Sequence, residues 1–363
     1  MKKILALVLS AALVFAMAAC AGGSNSPENQ GNTDNTETQT TENTDSGNPE
    51  LTIIGINTDP AMKAESKFID LVAESSAGTV TVRSLTGTAE LSDRAKLKMV
   101  LSGECDIAVG LSDAFAETVS DLYLFDMFGF FESKDQVKAF LKGETVETFK
   151  AAFEEEGLKF LGIWDSGFSQ IIMAEEYLRV PEDLEGIRMG SEMSGDILDV
   201  WKKLGADPLH AERNDVLYEL ESWVVDGYEG SLESMMAAQA NTVSTYLVRT
   251  SHSYTPYVAV MNLDKFNSLT DLQKSAVLSA MEEAQNASFA ESDAYEQYTL
   301  KEFEKADMEI VELTDEEKAA FMKAFESAGS EKTIRDLMAH PEIIDGIREE
   351  LTGSGESQVD DAQ

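Results

Sequence analysis

The chain has 363 residues and carries 67 acidic against 28 basic side chains, which gives a formal net charge of −39. Because nucleic-acid phosphates are bound by clustered Lys and Arg, this charge excludes nucleic acid as a partner. It also disfavours passive adhesion to an anionic membrane, and it requires a local positive group wherever an anionic ligand is held.

The first 19 residues have the organisation of a signal peptide. Lys2 and Lys3 precede an apolar run, and small residues lead to Cys20. This order is typical of secretion signals, and the run is too short for a comfortable spanning helix. The sequence Met-Ala-Ala-Cys at 17–20 resembles a bacterial lipobox. It predicts a lipidated Cys20 that anchors an extracytoplasmic protein to the cell membrane. The alternative is a plain secretion signal with an incidental cysteine.

A polar tract at residues 20–50 follows the predicted signal. From Ser24 to Glu50 it contains no aliphatic or aromatic residue. A segment that cannot bury apolar surface is predicted to be disordered, so we interpret this tract as a linker. A flexible chain of this length has a root-mean-square reach on the order of 30 Å. Residues 353–363 are predicted to form a second flexible tail.

Strand-like and helix-like segments alternate from Leu51 onward. The β-α-β-α-β order at the start predicts a mainly parallel sheet. Cys105 is the only cysteine after Cys20, so the mature fold is predicted to have no intramolecular disulfide, with Cys105 buried. The predicted strands are 51–57, 79–85, 106–112 and 158–164, and the predicted helices are 60–77, 91–103, 134–143 and 145–156.

The alternating pattern restarts after residue 168, which favours two lobes over one core for the remaining length. The last predicted strand is expected to return to the first lobe. Helix 269–306 contains neither Pro nor Gly and is long enough to span both lobes. The predicted strands are 169–175, 187–191, 244–250 and 254–262, and the predicted helices are 193–204, 214–224, 231–240 and 269–306.

The order of these motifs resembles a known family, the solute-binding components of TRAP transporters (tripartite ATP-independent periplasmic transporters; DctP-like). The resemblance extends from Leu51 to about Ser288, and it depends on the order and spacing of several stretches. These stretches are SSAGTVTVRSLTGTAELSDRAKLKMVLSGECDIAVG, YLFDMFGFFESKDQVKAFLKGE, LKFLGIWDSGF, VPEDLEGIRMGS and LGADPLHAERNDVLYELESWVVDGYEG.

The resemblance implies an α/β, two-lobed periplasmic-binding-protein-like fold with a ligand cleft between the lobes and a long helix spanning both. It implies that residues 51–165 plus about 254–290 form lobe I, and that about 166–253 plus 291–352 form lobe II. It also implies a monomer that delivers a small-molecule ligand to TRAP membrane permease subunits, which usually couple transport to sodium. Closure on the ligand would be the signal that the permease reads.

At three positions where side chains of this family bind an organic acid, the residues of this chain lack the binding groups. The family's clamp is an Arg, whose planar fork pairs bidentately with a carboxylate. That position is Gly190 in this chain, and a second Arg position near the hinge is Ser169. The family's Asn after the sequence D-G-x-E is Gly230.

Arg213 occupies a position where the family usually has an aromatic or apolar cleft residue. It could supply the missing positive charge, and a small organic anion is then the predicted ligand. The alternative is an exposed Arg at a helix start, paired with Glu212 or Asp215. In that case a neutral or cationic ligand fits better, because burying an unpaired carboxylate is costly. Arg188 is predicted to be structural.

Further candidates follow from position. Ligands in such sheets lie at the carboxyl ends of strands. Ser112 and Asp113 end one predicted strand, and Asn57 ends another. The remaining candidates are Trp164, which could stack on a flat ligand or simply pack in the core, and Ser191 and Tyr228, which could donate hydrogen bonds.

The sequence contains few of the residue patterns expected of an enzyme. The three histidines are isolated, and neither a G-x-S-x-G turn nor a G-x-x-x-x-G-K-[ST] loop is present. We therefore predict a binding protein with no catalytic residue, no cofactor and no metal. A lipoprotein sensor that keeps the fold without transport is the remaining alternative.

Overall fold

A computed structural model describes residues 47–85, 91–193 and 195–356. The predicted signal peptide, Cys20 and nearly all of the predicted linker lie outside these residues, as do residues 357–363. Across the described ranges, no helix is long and apolar enough to cross a membrane.

Eleven strands and thirteen α-helices form the described part of the chain. The strands are β1 (Glu50–Ile54), β2 (Thr81–Ser84), β3 (Ile107–Leu111), β4 (Leu158–Trp164), β5 (Ser169–Met173), β6 (Arg188–Ser191), β7 (Asp207–His210), β8 (Gly227–Ser231), β9 (Tyr246–Arg249), β10 (Tyr257–Asn262) and β11 (Glu309–Glu312). The helices are α1 (Asp59–Ser75), α2 (Asp93–Ser102), α3 (Ser112–Ala116), α4 (Lys134–Phe140), α5 (Thr145–Glu155), α6 (Leu198–Lys203), α7 (Val216–Glu221), α8 (Leu232–Ala237), α9 (Leu263–Ser268), α10 (Asp271–Lys305), α11 (Asp315–Ser327), α12 (Ser330–Leu337) and α13 (Glu342–Glu356).

The first sheet has the strand order β2-β1-β3-β10-β4 and defines the first lobe. Strand β1 runs parallel to β2 and β3, as the β-α-β-α-β pattern predicts. Strand β10 returns from the second half of the chain, which confirms the predicted return, and it is antiparallel to both β3 and β4. The sheet is therefore mixed, with the parallel part confined to β1–β3.

The second sheet has the order β11-β9-β5-β8-β6-β7 and defines the second lobe. Its two edge strands, β7 and β11, are missing from the sequence prediction. Each has four residues and only one buried position, so neither produces the apolar alternation by which strands are recognised. Together the two sheets confirm the predicted α/β, two-lobed class.

Helix α10 connects the lobes. It is 35 residues long, and a capping box fixes its start, with Thr270 and Gln273 each bonded to the other's backbone N–H. At 1.5 Å per residue it extends roughly 50 Å. It packs against α1 and β4 of the first lobe and against α8 and β11 of the second, so the predicted spanning helix is confirmed.

The C-terminal helix α13 lies beside two helices that precede β4 in the chain. It packs against α4 and α5, and Glu350 accepts hydrogen bonds from the Thr145 amide and hydroxyl, each at 2.6 Å. The helix runs through Glu356, past the start of the predicted tail at Gly353. The assignment of residues 291–352 to lobe II stays a prediction.

Candidate ligand-binding cleft

An opening lies between the two lobes, at the carboxyl end of β1. Asn57 and Lys96 line it from the first lobe, and Arg213 and Asn214 line it from the second. The space is about 740 Å³, including the solvent at its mouth. Asn57 is exposed there, three residues beyond the end of β1 at Ile54, and not at the strand end where the sequence predicts it.

Arg213 lies between the lobes and points inward. Its side chain is only 15 % exposed, and the nearest carboxylate oxygen is that of Asp93 across the cleft, at 3.8 Å from Nη2. Within the described residues its buried Nη1 has no hydrogen-bond partner. The alternative of an exposed Arg paired with Glu212 or Asp215 is wrong. Glu212 pairs with Arg94 of the first lobe at 3.0 Å instead.

Asp93 is the first residue of α2 and faces Arg213 from the first lobe. One of its oxygens accepts a 2.7 Å hydrogen bond from Lys96, and the other accepts the Leu111 amide at 3.0 Å. Lys96 also donates to the Gly55 carbonyl at 2.9 Å. Burial opposes ionisation of Asp93, but Arg213 and Lys96 outweigh it and hold the pKa of this carboxyl below its ordinary value.

Three further carboxyl groups lie near the contact between the lobes: Asp113 and Glu192 border a small space beside Asp93 and Arg213, and Glu233 accepts a hydrogen bond from Thr58 of the first lobe. Asp113 is at the start of α3, Glu192 follows β6, and Glu233 is in the first turn of α8. Burial raises the pKa of Asp113 to about 7, that of Glu192 to about 8 and that of Glu233 to about 7. Asp93 and Glu192, despite burial, hold the pKa of Arg213 above its ordinary value. The cleft is therefore rich in acidic groups that ionise near neutral pH.

The ring of Tyr228 occupies the space that two glycines leave. Gly190 pairs with Tyr228 across β6 and β8, and Gly230 lies two residues further on the same face. A Cβ on Gly190 would lie 3.4 Å from the ring, and one on Gly230 would lie 3.0 Å from it. The Tyr228 hydroxyl donates a 2.5 Å hydrogen bond to Glu192. A tyrosine ring therefore fills the space beside Gly190 and Gly230.

Ser191 belongs to a different network on the opposite face of β6. Its hydroxyl donates to Glu229 and accepts the Met193 amide at 3.1 Å. Glu229 also contacts His252 at 3.2 Å, and His252 contacts the Thr250 hydroxyl at 2.8 Å. All four side chains are fully or almost fully buried, so this network stabilises the second lobe away from Tyr228.

The remaining predicted candidates lie at the hinge or in the core. The Ser169 hydroxyl is 2.6 Å from that of Thr255, which ties the two crossing segments together. Trp164 is fully buried at the end of β4, as the core-packing alternative requires. Ser112 is fully buried, and its hydroxyl has no hydrogen-bond partner within the described ranges.

Arg188 has the structural role that the sequence predicts. Its guanidinium donates to Asp226 at 2.9 Å and to the Trp223 carbonyl. It is therefore held at the far end of β6 and not aimed at the cleft.

Sequence reasoning missed Asp93, Glu192 and Glu233 as residues near the contact between the lobes. Glu192 directly follows β6, and Glu233 comes two residues after β8, so the rule that ligands lie at the carboxyl ends of strands could have found both. Asp93 starts α2 after the capping residue Ser92, where an acidic residue is explained by the helix dipole alone.

Comparison with known proteins fits this architecture. Residues 54–335 match the DctP family, described as bacterial extracellular solute-binding protein, family 7. The chain belongs to this family. The match covers both sheets except for the first strand's opening residues, and it includes every cleft residue described above. The resemblance to TRAP solute-binding proteins is therefore confirmed.

Two characterised relatives of this DctP-family chain bind organic acids according to their names. The C4-dicarboxylate-binding protein DctB of Bacillus subtilis is 28 % identical over 75 % of this chain and 77 % of its own length. The 2,3-diketo-L-gulonate-binding periplasmic protein YiaO of Escherichia coli is 24 % identical over 80 % of this chain and 88 % of its own.

Solved structures of TRAP periplasmic solute-binding proteins have the same fold. The protein from Sulfurospirillum deleyianum, with bound succinate, is 26 % identical and superposes with a TM-score of 0.74, covering 83 % of this chain and 99 % of its own. The protein from Roseobacter denitrificans, with bound β-D-glucuronate, is 23 % identical with a TM-score of 0.75, covering 82 % of this chain and 99 % of its own.

Proposed function

We propose that this DctP-family protein captures a small organic anion in the cleft between its lobes and delivers it to TRAP membrane permease subunits. The carboxylate of the ligand is held by Arg213. The protein performs no catalysis, acts as a monomer, and is anchored to the cell membrane through lipidated Cys20.

One observation carries the ligand assignment: the guanidinium of Arg213 is largely buried in the cleft, and its Nη1 has no hydrogen-bond partner among the described residues. The side chain of Arg213 is only 15 % exposed. The nearest carboxylate oxygen, on Asp93, is 3.8 Å from its Nη2. A buried donor without a partner is costly, so the site favours an acceptor that arrives with the ligand. A carboxylate matches the planar fork of Arg.

The replaced family positions support the same proposal. Gly190, Ser169 and Gly230 offer no charged group, so the positive charge must come from elsewhere in the cleft. Lys96 also lines the opening, but Asp93 and the Gly55 carbonyl already engage it. Arg213 therefore supplies the carboxylate clamp from the second lobe, while Ser112, Asp113, Asn57 and Tyr228 shape the space around the ligand.

The test is mass spectrometry of the ligand that copurifies with the protein, compared between the unmodified chain and Arg213→Ala. Losing a charge-assisted bidentate contact is expected to weaken binding about 100-fold, so the carboxylate should be absent from the variant. Arg83→Ala is the matched control, because Arg83 is half exposed and pairs only with Glu50 among the described residues. A carboxylate retained by Arg213→Ala would contradict the proposal.

A further inference from the structure

Two adjacent charged residues of the first lobe face two adjacent charged residues of the second lobe. Asp93 and Arg94 are the first two residues of α2, and Glu212 and Arg213 lie in the connection between β7 and α7. All four side chains line one small space at the contact between the lobes. Each lobe therefore presents one acidic and one basic side chain to the other.

The four side chains form two contacts of opposite direction across the lobes. In the first, Arg94 Nη1 donates to Glu212 Oε1 at 3.0 Å, and the two side chains are 19 % and 40 % exposed. In the second, Arg213 Nη2 lies 3.8 Å from Asp93 Oδ1, and both side chains are more deeply buried. The first lobe thus contributes the base to one contact and the acid to the other, so the two pairs are reciprocal.

These contacts need no bridging group, because side chains of the two lobes reach each other directly. A charge-assisted hydrogen bond in partly buried surroundings is stronger than an exposed ion pair. The hydrogen bond from Thr58 of the first lobe to the buried Glu233 of the second adds a further direct contact. All of these contacts are lost when the lobes separate, so each of them favours the closed arrangement.

Arg94 contacts a carboxylate in each lobe. Its Nη1 contacts Glu212 of the second lobe at 3.0 Å, and its Nη2 contacts Glu117 of the first lobe at 3.3 Å. Because Glu117 directly follows α3 in the same lobe as α2, its contact is kept when the lobes separate, whereas the contact with Glu212 is broken. The two carboxylates therefore form a matched pair, of which only Glu212 affects closure.

We propose that the reciprocal pairs Arg94–Glu212 and Asp93–Arg213 form an interlobe latch, which keeps the lobes mostly closed before any ligand binds. The latch also positions Arg213, because the residue before it is tied to α2. This inference goes beyond the proposed function and holds whichever small molecule the cleft binds. A ligand then enters through a minor open state, and its apparent affinity is lowered by the small fraction of protein in that state.

The distance between the lobes of the ligand-free protein tests the latch. The full mature chain carries spin labels at Lys67→Cys and Ser222→Cys, which are exposed positions in the first and second lobes, with Cys20→Ser and the buried Cys105 unchanged. It is refolded from guanidinium chloride after buffer exchange, so that no copurified small molecule remains. Pulsed electron–electron double resonance then measures the distance distribution, and we expect the distance of the closed arrangement to dominate.

Breaking the latch should open the lobes. Arg94→Glu places a negative charge opposite Glu212, and we expect the ratio of closed to open protein to fall about tenfold, which corresponds to about 1.4 kcal/mol. The exchanged pair, Arg94→Glu with Glu212→Arg, should restore the short distance. Glu117→Gln is the matched control, because it removes only the contact within the first lobe and should leave the distribution unchanged. If Arg94→Glu does not fold, Glu212→Gln breaks the same contact from a partly exposed position.

Three results would overturn the latch. The first is a ligand-free chain in which the long distance dominates, and the second is an unchanged distribution in Arg94→Glu or Glu212→Gln. The third is an exchanged pair that stays open, or a shift in Glu117→Gln as large as that in Arg94→Glu, since either would assign the effect to the first lobe alone. None of these results concerns the copurified ligand, so Arg213→Ala tests the proposed function separately.

Discussion

At the scale of single residues, the position of the Tyr228 ring depends on the two glycines beside it, Gly190 and Gly230. The ring can occupy its position only because positions 190 and 230 have no side chain. Its hydroxyl then donates to Glu192 at 2.5 Å and gives that half-buried carboxyl a partner. This part of the second lobe therefore combines an aromatic ring with a carboxyl group.

The two glycines should differ in their tolerance of a methyl group. In Gly230→Ala the new Cβ would lie 3.0 Å from Cε1 of Tyr228, closer than real contacts normally allow, so the ring must move. We expect a destabilisation of about 1–3 kcal/mol. In Gly190→Ala the nearest atoms are at 3.3 and 3.4 Å, and the effect should stay within about 0.5 kcal/mol. Urea unfolding of both variants measures the difference.

Equal stability of the two alanine variants would contradict this account of Tyr228. The double variant Gly230→Ala with Tyr228→Leu provides the control, because a smaller side chain removes the clash. Its free energy of unfolding should show no added cost from the alanine beyond that of Tyr228→Leu alone.

The sequence could predict which site residues are missing but not what replaces them. Gly190, Ser169 and Gly230 were found by comparison with family motifs. That the Tyr228 ring covers Gly190 depends on the register between β6 and β8, which are separated by α6, β7 and α7 in the chain. The inward direction of Arg213 depends on Asp93 across the cleft, 120 positions earlier, and no local pattern carries that information.

At the scale of elements, α10 protects the exposed edge of the first sheet. Strand β4 is an edge strand, and its outward-facing amides need partners other than a neighbouring strand. The Ile163 amide donates to Gln285 at 2.9 Å, and the Asp165 amide donates to the Ser288 hydroxyl at 3.0 Å. Side chains of α10 therefore complete the hydrogen bonding of β4 and block that edge.

Replacing Gln285 should therefore destabilise the fold. In Gln285→Ala the Ile163 amide loses its acceptor at a partly buried site, and we expect a loss of about 1–2 kcal/mol in the free energy of unfolding. Gln136→Ala is a suitable comparison, because its amide contacts Glu132 at an exposed site and should matter little. Thermal denaturation of the two variants checks the difference, and equal melting temperatures would refute the role given to α10.

Prediction of elements succeeded where a segment buries a continuous face. The predicted β4, residues 158–164, matches the structure at both ends, and it is an almost fully buried run of seven residues. Helix α10 was predicted within two residues at its start and one at its end. The edge strands β7 and β11 and the five-residue α3 escaped prediction, because each is too short to establish a period.

At the scale of the whole molecule, the buried acidic groups of the cleft make stability depend on pH. Asp113, Glu192 and Glu233 have pKa values of about 7, 8 and 7 in the folded chain, all above their ordinary values. The folded state therefore binds more protons than the unfolded state between about pH 4.5 and 8. Stability from these groups is fully present at low pH and is lost as pH rises through 7 to 8.

The charged and titratable groups that face these three carboxyls come from both lobes, and their contributions have both signs. Arg213 favours the ionised form of Glu192 and Glu233, and Arg94 favours that of Asp113, whereas the neighbouring carboxylates oppose ionisation. The facing groups are Asp93, Arg94, Asp165, Arg213, Tyr228, Glu229 and Tyr257.

We therefore expect the melting temperature of the ligand-free protein to fall between pH 5.5 and pH 8.5. The net charge of −39 adds repulsion throughout this range, so the size of the fall alone cannot identify its source. The variant Glu192→Gln identifies the source. Its neutral amide removes one titrating group, so the dependence of the melting temperature on pH should become measurably flatter. Glu175→Gln also removes one negative charge, but from an exposed position. Its dependence of melting temperature on pH should therefore stay parallel to that of the unmodified protein. A melting temperature that rises across this range, or two variants with the same slope, would mean that the cleft carboxyls ionise at their ordinary pH values.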